Sequence, residues 1–192
     1  MSTTTLYRLS ALAALLSGAC IIIGKLLALL PDPQAGEVFD FLSPLFALFV
    51  VVGIYLRQRE ESGLFGGVAF VVMFIGLVLV VSLDYFGAFI RLQLPEVVAE
   101  QLMEGPSGTA VAVSALIFLL GEILLGISVI RSGVFSKIAA ILFMIGLVPV
   151  PLGGVLPDSV VAIGSIVAGI GLIWWGTDLY RLAGSESERA IR

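Results

Sequence analysis

Charged residues divide the chain into long apolar stretches, and their spacing predicts its elements. Residues 9–24 carry no charge, and Lys25 interrupts a stretch that continues to Leu30. Residues 41–56, 62–83, 138–157 and 159–177 are free of charge, and 105–130 holds one, Glu122. A helix needs ~20 apolar residues to cross ~30 Å of hydrocarbon, and each stretch with its flanks meets or approaches that length. Inside lipid every backbone N–H and C=O must pair internally, which leaves helices or a closed barrel. Barrel strands alternate apolar and polar residues, and Val68–Val81 does not. The pattern predicts an all-α integral membrane fold, a six-transmembrane-helix bundle with spans near 8–30, 38–57, 63–90, 107–131, 135–156 and 159–181. These form one membrane domain over 1–183, and the polar tail 184–192 is expected to fray in the cytoplasm.

The connections carry their own signals. Pro31-Asp32-Pro33 and Pro157-Asp158 read as helix stops, and Ser132-Gly133 as a turn. Between the third and fourth spans, Pro95 is placed like a first helical residue and Gly105-Pro106 like a stop. Glu96, Glu100 and Glu104 recur at spacing four on one face, with Val98, Ala99 and Leu102 on the other. That is a short outer amphipathic helix on the membrane surface, either inert or a lid over the bundle.

Orientation follows from the basic residues. With the N-terminus inside, the cytoplasmic side collects Arg8, Arg57, Arg59, Arg131, Lys137, Arg181, Arg189 and Arg192, and the outside only Arg91. This bias predicts a multi-pass protein of the cell's inner (plasma) membrane with both ends cytoplasmic. Tyr7, Tyr55, Trp174, Trp175 and Tyr180 lie near the same boundary, where an aromatic belt is expected.

A shift of 70 positions superimposes Ser62–Val80 on Ser132–Val150 with nine identities in nineteen positions, among them Ser62/Ser132, Gly63/Gly133, Ala69/Ala139 and Gly76/Gly146. Both copies run from inside to outside, so the repeat is parallel, about an axis along the membrane normal. Duplication and convergence of low-complexity helices both produce such a match.

The stretch Leu124-Leu125-Gly126-Ile127-Ser128-Val129-Ile130-Arg131-Ser132-Gly133-Val134-Phe135, followed by Ala139 to Gly146, resembles a group of uncharacterised small polytopic bacterial membrane proteins. Their penultimate hairpins carry a similar Leu-x-Gly-x-x-x-x-Arg-Ser-Gly turn. Members often place Pro soon after the turn, where this chain has Ser136. The match covers mainly the last third of the chain and implies fold and topology, with no activity attached.

Composition narrows the function. With 59% apolar and 12% charged residues, a soluble domain of this size would expose large apolar patches, so lipid is the solvent. A net charge of −4 without a basic run argues against nucleic-acid binding. The absence of His removes the commonest metal ligand and general base, and no cofactor or metal site is expected. The single Cys20 excludes an intrachain disulfide, and Ile21-Ile22-Ile23 after it argues against a lipoprotein signal.

Charges within membrane helices are costly, about 2.5–3.5 kcal/mol at the centre, and mark candidate sites. Lys25 and Asp84 lie ~8 and ~9 Å below the outer boundary, share a leaflet and are placed to pair. Asp40 starts the second span slightly above them. Snorkelling, a structural salt bridge or a ligand or ion site each accounts for this trio. Glu122 lies ~13 Å from the inner boundary with no basic residue at its depth. It is expected to point into the bundle, protonated and structural or facing water or a partner, with Ser17 placed to hydrogen-bond it. Enzyme signatures are weak: Ser17 and Lys25 stand ~12 Å apart along one helix, too far for a Ser–Lys dyad. A cross-helix dyad of Lys25 with Ser43 or Ser82 is unmarked.

The sequence therefore predicts a non-catalytic membrane protein whose surroundings are the lipid bilayer. It would bind a lipid-like or small apolar ligand, or a membrane-protein partner as a complex subunit. A small transporter, or a substrate-binding transport subunit using Lys25, Asp84 and Glu122, is the alternative.

Overall fold

In the computed structural model, which describes residues 3–30, 34–153 and 155–191, the described chain is helical and contains no strand. The elements are α1 (Thr3–Leu27), α2 (Gln34–Phe89), α3 (Glu96–Met103), α4 (Pro106–Ser132), α5 (Lys137–Leu147) and α6 (Asp158–Ile191). Short 3-10 turns at Arg91–Gln93 and Val150–Leu152 complete it. Four helices, α1, α2, α4 and α6, are long and apolar enough to cross a membrane. The expected stop at Pro31-Asp32-Pro33 and the basic residue Arg192 lie outside the described residues.

Straight, the 56 residues of α2 would reach ~84 Å. The helix instead reverses at Gly63, whose φ of 55° and ψ of −147° suit glycine alone. Phe41 meets Tyr85 and Phe89 edge-on, and Tyr55 stacks on Phe70 at 4.5 Å. Pairs converging on Gly63 from both sides make α2 an antiparallel hairpin, with arms 34–62 and 64–89. The expected loop between spans two and three is thus one residue. Gly133, at φ 67°, ends α4 as a left-handed cap and makes the equivalent turn into α5.

The helical segments pack in a closed ring. α1 lies on the first arm of α2, the second arm on α4, α4 on α5, α5 on α6, and α6 returns to α1. Glycines set the close approaches: a side chain at Gly146 would collide with the Ala168 backbone, and one at Gly121 with Met73. The core runs through the ring, from Ala14, Val51 and Ile54 through Met73 and Leu125 to Phe143, Trp175 and Leu179.

Several boundaries differ from expectation. α5 stops at Leu147 instead of running toward residue 156, because Pro149 and Pro151 cannot donate the next helical hydrogen bonds. α6 continues through the polar tail to Ile191; Glu186, Glu188, Arg189 and Ala190 are good helix formers, which outweighs Gly184. Pro95 caps α3 from outside, and Pro106 starts α4 at its first position instead of stopping α3. Tyr7 and Trp175 are buried in the core, so the aromatic belt reduces to Tyr55, Trp174 and Tyr180.

Candidate functional site

The ring has two ends. One holds the turns at Gly63 and Gly133; the other holds Lys25, Asp40 and Asp84. Between them, nearer the charged end, lies a cavity of about 130 Å³. Ser17, Ile21 and Lys25 reach it from α1, and Asp40, Ser43, Pro44 and Ala47 from the first arm of α2. Met73, Leu77, Val80 and Asp84 come from the second arm, Phe118 from α4, and Phe143 and Leu147 from α5. Val150, Ser165 and Leu172 close it. Most of this wall is apolar, and its charges are gathered at one end. A dry apolar cavity of ~150 Å³ is known to hold a benzene ring, so this volume suits a ring or a short aliphatic body.

The charged end is built by α1 meeting α2. Lys25 Nζ donates to Asp40 Oδ2 at 2.6 Å, with both side chains about one-fifth exposed. Lys25 therefore pairs with Asp40 and not with Asp84 as expected, because Gly24 and Gly36 let α1 and α2 approach closely there. Asp40 Oδ1 is buried against Gly24 and has no hydrogen-bond partner. Asp84, on the opposite arm, has no hydrogen bond or ion pair among the described residues, and it lies within electrostatic reach of Asp40, Lys25 and Glu37. Pro44 has no N–H to give to the Asp40 carbonyl four residues earlier, so that carbonyl lacks its helical donor.

Below this end the hydroxyls are committed. Ser17 Oγ donates to the Ser43 carbonyl at 2.8 Å, and Ser43 Oγ donates to the Ser17 carbonyl at 3.0 Å. This reciprocal pair ties α1 to α2 and takes Ser17 away from Glu122, its expected partner. Ser165 Oγ donates to Val161 within its own helix. Glu122 is fully buried and both its carboxyl oxygens lack a partner. It lies one helical turn beyond Phe118 on the same face of α4, beneath the cavity and not on its wall.

Sequence reading missed Gln58. It is 1% exposed; its Nε2 donates to Ser128 Oγ at 3.1 Å, and its Oε1 accepts from Ser132 Oγ at 3.0 Å. Flanked by Arg57 and Arg59 it reads as a boundary residue, yet it continues the buried series Ala47, Val51, Ile54. That periodicity was the available signal. Among the described residues no group of His, Cys, Asp or Glu is arranged to hold a metal ion. α3 contributes nothing to the cavity wall, and Val97, Val98 and Leu102 are exposed.

No family model, curated protein or solved structure matches the chain. The likeness to small bacterial membrane proteins thus rests on its turn motif. At the departure from that motif, the Ser136 N–H donates to Asp178 Oδ2 at 3.0 Å, a bond that proline cannot make.

Proposed function

We propose that the chain is a non-catalytic polytopic protein of the inner membrane that binds a small ligand, apolar over most of its surface, inside a bundle of six crossings. The observation that carries this reading is the cavity, to which all six long segments contribute side chains. A wall that is apolar along its length and polar at one end is the usual make-up of a small-molecule site. Its volume fits a small molecule and not a whole lipid, which narrows the ligand class.

The six crossings follow from counting the two arms of α2 separately and α5 with its 3-10 extension as one. Arg57, Arg59, Arg131 and Lys137 flank the two glycine turns, so the turn end faces the cytoplasm under the positive-inside rule. A parallel repeat accords with matched contacts. Gly63 and Gly133 are the two glycines with positive φ among the described residues. Gly76 meets Phe118 where Gly146 meets Ala168, and Gly121 meets Met73 where Gly171 meets Phe143.

Two measurements test the reading. Reporter fusions at residue 100 and after Gly184 are expected on opposite sides of the membrane, and a same-side result refutes the topology. Benzyl alcohol should bind the chain in lipid nanodiscs, and Ala47→Leu, which fills the wall, should abolish that binding. Equal binding by both forms would place the ligand elsewhere.

The transporter reading draws on Glu122, a buried carboxyl without a partner beneath the cavity. It requires pH-dependent uptake in vesicles that Glu122→Gln abolishes with the fold intact.

A further inference from the structure

We propose that the charged end of the cavity recognises a small organic ammonium ion, whose apolar body occupies the rest. This deepens the ligand-binding reading and rests on it.

The inference comes from counting donors and acceptors on the wall. Its polar residues are Ser17, Lys25, Asp40, Ser43, Asp84 and Ser165. All three hydroxyl protons are taken by backbone carbonyls, those of Ser43, Ser17 and Val161. A hydroxyl that has given its proton away offers only lone pairs. Lys25 is then the only N–H donor among the lining side chains, and Asp40 engages its charge at 2.6 Å. Against it stands the Asp84 carboxyl, with no partner among the described residues, while Pro44 leaves the Asp40 carbonyl without a helical donor. Glu37 adds a further carboxyl within electrostatic reach of Asp84.

The wall thus holds an excess of acceptors, with two carboxyl groups, those of Asp40 and Asp84, to one ammonium. A ligand completing it must bring hydrogen-bond donors and positive charge. An alkylammonium has three N–H donors and no acceptor, which matches that deficit. A carboxylate or phosphate ligand would add acceptors and face like charge. A bare metal ion would leave the apolar remainder of the wall unfilled. Asp84 is the anchor, because Asp40 is already held by Lys25. The ion pair forms beneath a partly desolvated rim, where charge attraction exceeds its value in water.

Benzylamine, benzyl alcohol and benzoate share one size and differ in charge, so they isolate this term. Each is titrated against the full chain in nanodiscs at mildly alkaline pH, with empty nanodiscs subtracted. Fluorescence is the readout, since Trp175 packs on Phe143 of the cavity wall. Benzylamine is expected to bind at least ~10-fold more tightly than benzyl alcohol, with benzoate weakest. Asp84→Asn should bring the amine and the alcohol to within ~2-fold of each other. Equal binding of amine and alcohol by the natural chain would overturn the amine assignment and leave the cavity as a neutral site. So would an amine preference that survives Asp84→Asn. Failure of all three probes to bind would refute the ligand-binding reading itself. The natural chain's ranking needs no variant, so the test stands even if Asp84→Asn fails to fold.

Discussion

The two ends of the bundle treat buried polarity in opposite ways. At the turn end Gln58 donates to Ser128 and accepts from Ser132, Arg131 lies over the Phe65 ring, and Asp178 receives the Ser136 N–H. These bonds fasten the α2 hairpin to the α4–α5 turn, and what that end leaves unpaired are donor-bearing groups, Arg57 Nε and Ser62 Oγ. At the charged end the acceptors outnumber the donors and a cavity opens beside them. Burying a polar group without a partner costs about 1–3 kcal/mol, so the unpaired acceptors beside the cavity are where a donor-bearing ligand would gain most. One end holds the bundle together, and the other is where we propose that a ligand binds.

The largest way to break this contrast is through the ring that both ends share. Gly146→Leu puts a side chain into the backbone of α6, and repacking such a contact costs ~3 kcal/mol or more. Little folded protein is expected by size-exclusion in detergent, and a normal yield would mean that α5 and α6 are not in close contact. Gln58→Leu comes next. It leaves the buried Ser128 hydroxyl without its Gln58 partner and should lower stability by ~2 kcal/mol. Because it acts at the turn end, benzylamine affinity should hold to within ~2-fold, and a larger loss would show that the ends are coupled.

How much of this was legible beforehand depends on the kind of interaction. The apolar stretches mark α1, α4 and α6 because helices in lipid answer to composition over ~20 residues. Gly63 and Gly133 were visible as a repeated Ser-Gly, and both became turns. Partner choice was not legible. Depth alone put Lys25 level with Asp84, whereas the close approach of α1 and α2 at Gly24 and Gly36 gives it Asp40. Ser17 and Glu122 share a depth but not a facing, which depends on rotation about each helix axis. Gln58 was hidden by the arginines beside it, although its buried face repeats every three to four residues. The cavity was beyond reach, since its wall is a product of six segments packing at once.

The smallest expected effect sharpens the middle of the comparison. Glu122 is unmatched, like the charged end, but lies off the cavity wall. A neutral carboxyl in that place is nearly isosteric with an amide, so Glu122→Gln should change stability by less than ~0.5 kcal/mol. Benzylamine affinity should be unaltered. Loss of binding in this variant would extend the site to the centre of the bundle, and ionised-carboxylate infrared bands from Glu122 would exclude the neutral form.

The proposal to be tested is that the cavity is reached from the charged end, on the outer side of the membrane, and selects positive charge. Cys20 is buried in α1, so replacing it with Ser and Val80 on the cavity wall with Cys leaves one reporter thiol. Cationic and anionic methanethiosulfonates of matched size are then added to sealed cells from outside. The account predicts modification ~10-fold faster by the cationic reagent, slowed by benzylamine. Equal rates for the two reagents, or modification only from the cytoplasmic face, would contradict it.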